Sequence, residues 1–346
     1  MSTPQALRVA VLGGGSFGTV LANLAAENGH QATLWLRDEV QLADMQSVRE
    51  NTRYLPGFRL ADGLAFSRDL EATLAAADII FVSIPSKAFR LVMQAAKPFI
   101  RPDHMLVSTT KGIEKESFAL MSEILREESG SKRVGVLSGP NLAREVAARM
   151  VSGTVIASTQ PDVRDRVHHV LSSRYFRVFA NSDVYGVELA GALKNAYAVA
   201  AGMAAALKLG ENSKSMLMTR ALAEMSRFAV QLGANPLTFL GLAGVGDLIA
   251  TCSSPLSRNY QVGFALGSGQ SLADVIEELE QTAEGINTIQ IVKQKADDFG
   301  VYMPIVSGLY EIIFNEQPLD AVLGKIMQGG QSSDVEFVLP RTSAPV

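Results

Sequence analysis

Two lysines, an aspartate and a Ser-Arg-Asn triplet are the residues of this sequence best suited to chemistry. Lys111 stands in Ser108-Thr109-Thr110-Lys111-Gly112, just past a short apolar run. Lys194 stands with Asn195 near the start of an almost continuously apolar, Ala-rich stretch, Leu189 to Leu207, where a solvated face does not account for it. A lysine so placed snorkels at a helix turn, pairs, or works, and burial beside a second cation lowers its pKa toward acid–base use. Asp247 ends the glycine-rich turn Gly241-Leu242-Ala243-Gly244-Val245-Gly246. It could cap the helix that follows, bind a substrate hydroxyl or hold Lys194 in place. Ser257-Arg258-Asn259 opens another predicted helix. A hydroxyl, a guanidinium and an amide at a helix N-terminus make an anion cradle suited to a phosphate, although an N-cap serine beside an exposed arginine fits the same residues. Together these groups suit hydride transfer to a carbonyl. That reaction needs the carbon held against a nicotinamide, a proton or positive charge for the developing alkoxide, and a grip on the rest of the substrate.

A nicotinamide carrier has its own signature. Gly13-x-Gly15-x-x-Gly18 follows the aliphatic run Leu7–Leu12, precedes a helical pattern over Thr19–Glu27, and a second strand pattern, His30–Leu36, arrives on time. In that context Gly13 permits a tight turn, Gly15 lets the backbone approach a pyrophosphate, and Gly18 allows close helix–strand packing. At the end of the second strand an acidic residue would bind a ribose 2′-hydroxyl and an arginine would accommodate a 2′-phosphate. The sequence offers Arg37 and then Asp38, so NADP is favoured with NAD left open. Ser83-Ile84-Pro85-Ser86 ends another strand at an edge where ligands bind in open α/β sheets, or simply terminates it.

The elements that would position these residues follow from periodicity. Strands are predicted at 78–84, 105–109 and 133–138, and helices at 70–77, 88–96 and 118–127. Runs at 155–158 and 176–179 read as later strands that could run antiparallel. Alternating strands and helices imply a mainly parallel Rossmann-type sheet with right-handed crossovers. After Ser182 the strand pattern gives way to helices, at 187–209, 214–232, 236–240, 246–251, 257–266, 271–279, 282–299, 304–315 and 318–327. The expected organisation is a dinucleotide-binding α/β domain over 1–184, an all-helical substrate domain over 185–330 that supplies the catalytic site, and a tail over 331–346.

Composition narrows the partners. At 346 residues, 47% hydrophobic and 19% charged, the chain can bury large cores and is not of disordered type. Its net charge of -4 gives no general attraction to nucleic acid or anionic membrane. The stretch Leu189 to Leu207 has about the length of a membrane span, but Lys194 would cost roughly 3 kcal/mol in a bilayer, so a helix buried in protein is the better reading and no integral membrane segment is expected. The single Cys252, with no secretory signal at the N-terminus, fits a reducing cytoplasm. The four histidines sit in no ligand motif and no metal is expected.

The motifs jointly resemble the bacterial-type NAD(P)-dependent glycerol-3-phosphate dehydrogenase family. The matching pieces are Gly13-Gly14-Gly15-Ser16-Phe17-Gly18-Thr19, Leu34-Trp35-Leu36-Arg37, Tyr54-Leu55-Pro56-Gly57, Thr109-Thr110-Lys111-Gly112-Ile113, Leu137-Ser138-Gly139-Pro140-Asn141, Leu193-Lys194-Asn195, Gly246-Asp247-Leu248, Ser257-Arg258-Asn259 and Glu284-Gly285, in the family's order. The resemblance implies reversible reduction of dihydroxyacetone phosphate to sn-glycerol 3-phosphate with NADH or NADPH, for glycerophospholipid synthesis, by a homodimer. It implies Lys194 as proton donor and acceptor, with Lys111, Gly139 and Asn141 lining the substrate site. Asp247, Ser257, Arg258 and Asn259 would hold the substrate hydroxyl and phosphate. Ser16, Phe17, Arg37, Lys111, Ala143, Arg258, Thr282 and Glu284 would serve the cofactor. The family often has Trp or Tyr where this chain has Phe17, and Ser or Thr where it has Asn141. A hydroxyacid or sugar-acid dehydrogenase of similar build, and a dinucleotide-binding sensor without catalysis, are the rival readings.

Overall fold

The structure, a computed structural model, describes residues 6–278 and 284–329. Thr282 and the tail expected over 331–346 lie outside the described residues. Among the described residues ten strands, with helices between all but β3, β4 and β5, run up to Asn181: β1 (Arg8–Leu12), β2 (Gln31–Trp35), β3 (Glu50–Asn51), β4 (Leu55–Arg59), β5 (Ala65–Ser67), β6 (Ile79–Val82), β7 (Met105–Ser108), β8 (Val134–Ser138), β9 (Ser152–Ala157) and β10 (Phe176–Asn181). Eight of them form one sheet in the order β10-β9-β8-β7-β6-β1-β2-β5, and β3 pairs antiparallel with β4 beside it. The central strands are buried throughout because helices cover both faces of the sheet.

The two late strands correct the sequence-based expectation in part. β9 does run antiparallel to β8, but β10 runs parallel to β9. The helix Pro161–Leu171 joins them as a crossover, which parallel neighbours require. That helix buries Val163, Val167, Val170 and Leu171, a periodic stripe the sequence reading passed over. It also passed over the helix Glu39–Val48, which buries only Met45, and the two-residue strand β3.

Past Asn181 the described residues hold helices and turns and no further strand. The helix Val184–Ala206 is buried nearly all round and forms the spine of this half. Around it pack the helices Glu211–Gln231, Asp247–Ser253, Arg258–Gly267 and Glu284–Phe299. Against Arg258–Gly267 the contact is backbone on backbone. A Cβ on Gly202 would lie 2.0 Å from the Tyr260 carbonyl oxygen, and one on Gly263 would lie 1.9 Å from that of Val199. The spine also reaches the sheet domain. Glu188 is buried, and one of its carboxylate oxygens accepts from the Ser122 N–H at 2.9 Å. It thereby serves the N-terminus of the helix Met121–Ser129, where Leu120 offers no side-chain acceptor. No helix among the described residues is long and apolar enough to cross a membrane.

Candidate active site

The glycine-rich turn takes its shape from close approaches. Gly13 has φ +120°, and a Cβ there would lie 2.2 Å from the Ser83 carbonyl oxygen. A Cβ on Gly18 would lie 2.1 Å from the Gly13 carbonyl oxygen, so the helix Ser16–Glu27 sits tightly on the turn. At Gly15 nothing comes within 4 Å of that position. Gly15 is also the N-cap and supplies no side-chain acceptor, so first-turn N–H groups remain available to an anion that can come close. The β3–β4 hairpin is fastened to this turn. Buried Asn51 donates to the Gly14 carbonyl at 2.9 Å and to Thr19 Oγ1 at 2.7 Å, and Ser16 Oγ donates to the Tyr54 carbonyl at 2.6 Å.

From this turn a cleft of about 900 Å³ runs between the sheet and the helical half. At its far end lie the two lysines. Lys111 comes off the end of β7, and its ammonium donates to Asp247 Oδ2 at 2.6 Å and to the Gly139 carbonyl at 2.8 Å. Lys194 projects from the spine helix toward Asp247 Oδ1, 3.1 Å away, and also donates to Thr251 Oγ1. Asp247 is delivered by the π-helical turn Leu242–Gly246 and is 1% exposed. One carboxylate thus holds two ammonium groups, one from each half of the molecule, and the cluster keeps a net positive charge for an incoming anion. Burial pushes Lys111 down to about 8; Asp247 opposes that shift and Lys194 adds to it.

Amide side chains tie the cluster to the helices around it. Asn195 Nδ2 donates to the Lys111 carbonyl at 3.1 Å, Asn259 Nδ2 donates to Asn195 Oδ1 at 3.0 Å, and the Gly285 N–H donates to Asn259 Oδ1 at 2.9 Å. Ser257 Oγ caps its helix by accepting from the Tyr260 N–H at 3.4 Å, which leaves its hydroxyl proton free to donate. Arg258 follows it, facing Tyr54 and Glu284 electrostatically. Glu284 reaches across to the sheet domain and accepts from Ser86 N–H at 3.1 Å and Ser86 Oγ at 2.6 Å. Burial raises its pKa, with Ser86 opposing. A side chain on Gly112 would collide with Ser86 there.

Of the residues singled out from sequence, Gly13, Gly15, Ser16, Phe17, Arg37, Lys111, Asn141, Ala143, Lys194, Ser257, Arg258, Asn259 and Glu284 line this one cleft. Gly18, Gly139 and Asp247 stand directly behind the lining. Asn141 donates to Thr154 Oγ1 at 2.9 Å, and its buried Oδ1 has no partner among the described residues. Sequence reasoning missed Thr251, whose i, i+4 spacing from Asp247 on one helix face was the available signal. It also gave no role to Tyr54 or Gln41, which line the cleft near the glycine turn.

Comparison with known proteins gives consistent matches. Residues 8–164 match the family model for the NAD-dependent glycerol-3-phosphate dehydrogenase N-terminus, and residues 183–324 match the one for its C-terminus. A glycerol-3-phosphate dehydrogenase [NAD(P)+] of Acinetobacter baylyi is 58% identical over 97% of this chain and 94% of its own length. One from Teredinibacter turnerae is 54% identical over 96% and 98%. The crystal structure of glycerol-3-phosphate dehydrogenase from Coxiella burnetii superposes with a TM-score of 0.89 at 34% identity, covering 94% of this chain and 99% of that one.

Proposed function

Because the chain belongs to the NAD-dependent glycerol-3-phosphate dehydrogenase family, we propose a division of labour among its cleft residues for that family's reaction. The enzyme is an NAD(P)-dependent oxidoreductase that interconverts dihydroxyacetone phosphate and sn-glycerol 3-phosphate. The cleft suits a dinucleotide at its glycine turn: the open space at Gly15 and the uncapped helix N-terminus match a pyrophosphate, with Ser16, Phe17, Arg37, Ala143, Arg258 and Glu284 along its course. When bound, the nicotinamide supplies the hydride in reduction and takes it back in oxidation.

Lys194 gives its ammonium proton to the substrate oxygen as negative charge develops there, and recovers a proton afterwards from solvent. Asp247 and Thr251 hold its Nζ in place for that transfer. Lys111, fixed by Asp247 and the Gly139 carbonyl, adds a second positive charge beside the same oxygen. Ser257, Arg258 and Asn259 take the phosphate end, and Asn141 lines the cleft beside the substrate. The observation that carries this reading is the Lys111–Asp247–Lys194 cluster at the far end of a cleft that begins at a dinucleotide turn. The proposed domain division is 184/185, one residue into the spine helix Val184–Ala206. A homodimer, a cytoplasmic location and service to glycerophospholipid synthesis complete the reading.

Loss of reduced-nicotinamide absorbance on adding dihydroxyacetone phosphate, followed in parallel with NADPH and NADH, tests it directly. Rapid oxidation is expected, faster with NADPH. Protein that binds the cofactor yet oxidises neither form would return the substrate to the hydroxyacid dehydrogenase alternative.

A further inference from the structure

The end of β2 places an arginine and an aspartate side by side, and they ask for opposite ligands. Arg37 suits a 2′-phosphate; Asp38 suits a 2′-hydroxyl and would repel a phosphate. The structure shows what becomes of each. Asp38 Oδ1 accepts from the Gln41 N–H at 3.0 Å as the N-cap of the helix Glu39–Val48. Its Oδ2 faces Arg53 Nη1 at 3.4 Å. Both oxygens of Asp38 are therefore engaged before any ribose arrives. The next carboxylate, Glu39, is paired with Arg68 at 2.7 Å. Arg37 makes no hydrogen bond or ion pair among the described residues, so the rim of the cleft keeps a surplus positive charge.

Arg53 stands in the exposed turn between β3 and β4. Its guanidinium lies over the Tyr54 ring at 5.1 Å. The hairpin that carries it is fastened to the glycine turn through Asn51 and Ser16. Its position is thus set relative to the cofactor turn, and Tyr54 itself lines the cleft. An exposed pair at this separation contributes little to stability. Its consequence is electrostatic: it withdraws one negative charge from the neighbourhood of Arg37.

We propose that Arg53 is a positioning residue for cofactor choice: by engaging Asp38 it takes that carboxylate out of the ribose subsite and leaves Arg37 free to receive a 2′-phosphate. The proposal rests on the NADPH-favouring reading above and deepens it. Removing Arg53 releases Asp38, which then repels a 2′-phosphate and welcomes a 2′-hydroxyl. No new bond to the cofactor is required.

The test uses full-length protein and two simple probes, adenosine 2′,5′-bisphosphate and adenosine 5′-monophosphate, titrated by calorimetry. Arg53→Gln should weaken the bisphosphate about tenfold, the effect of one uncompensated like charge nearby, and leave monophosphate binding within about twofold of the parent. The kcat/KM ratio of NADPH over NADH should fall by a similar factor, through KM. Adding Asp38→Asn, which keeps an N-cap acceptor, should restore bisphosphate binding to within about threefold of the parent. Unchanged bisphosphate binding in Arg53→Gln would overturn the proposal, as would equal weakening of both probes. The same tenfold loss persisting beside Asp38→Asn would also overturn it, since Arg53 would then act without Asp38. Binding of the two probes does not depend on substrate, so this result stands apart from any failure to reduce dihydroxyacetone phosphate.

Discussion

Between Lys111 and Lys194, Asp247 divides its two carboxylate oxygens, one to each ammonium. Lys194→Ala should lower kcat by at least about a hundredfold, the scale of a lost general acid, while cofactor titration stays close to the parent; comparable turnover in the variant would remove Lys194 from the chemistry. Lys111 is protonated below about 8 and loses its charge above it. Reduction of dihydroxyacetone phosphate should therefore slow as pH rises through that value. Asp247→Asn removes the pull that holds the Lys111 proton on, so the limb should move to lower pH, and a kcat/KM profile of both proteins reads the shift. At this scale the sequence was informative where a residue contradicted its surroundings. A lysine inside an alanine-rich helix is conspicuous; Thr251, an ordinary polar residue on a partly exposed helix, is not, and only the fold reveals that it touches Lys194.

Elements were legible in proportion to their burial. The strands β1, β6, β7 and β8, enclosed on both faces, appear in the sequence as apolar runs. The helix Glu39–Val48 buries a single residue and leaves no stripe, and β3 is too short for any alternation, so both went unread although they carry Asp38 and Asn51. The direction of β10 depended on the crossover before it, a tertiary matter. Two elements owe their placement to buried carboxyls. Glu188 accepts from Ser122 and Glu224 accepts from the Ile305 N–H at 2.7 Å, each at the start of another helix. Burial raises Glu188 to about 7 and Glu224 to about 8. A carboxyl whose pKa rises on folding holds its proton more tightly in the folded state. Its contribution is complete below the ordinary value of 4.5 and is lost as pH rises through about 7 and about 8 respectively. Melting temperature should therefore decline between about pH 5 and pH 8, and Glu188→Gln with Glu224→Gln should flatten that decline; a parent curve without slope would contradict this account. The crossing at Gly202 and Gly263 gives a sharper expectation. Gly263→Ala drives a methyl into the Val199 carbonyl and should cost more than about 3 kcal/mol, read by denaturant unfolding.

Over the whole molecule, the cleft depends on groups reaching from one half to the other. Lys111 meets Asp247, Ser86 meets Glu284, and Ser122 meets Glu188, each pair joining the sheet domain to the helical one. The halves are therefore expected to unfold together once the cofactor is present. NADPH at a hundred times its Kd should add about 2.7 kcal/mol and merge the calorimetric trace into one transition; two separate transitions under saturation would show that these cross-contacts do not couple the halves. The general plan, a dinucleotide sheet followed by a helical domain, was legible in the switch of periodicity near Ser182. The cross-contacts were not, because their partners lie far apart in sequence, 198 residues for Ser86 and Glu284.

The glycine crossing also acts as a gauge. Lys194 and the Ser257-Arg258 cradle belong to two helices whose main chains touch with no side chain between them. With the roles proposed above, the span from Lys194 to that cradle is set by backbone contact, which cannot yield as a rotamer can. On that assignment a three-carbon phosphate is expected to bring its oxygen and its phosphate into step with both marks. A ligand one carbon longer carries the same functional groups and is expected to fall out of step, an outcome read by comparing kcat/KM for the two ligands.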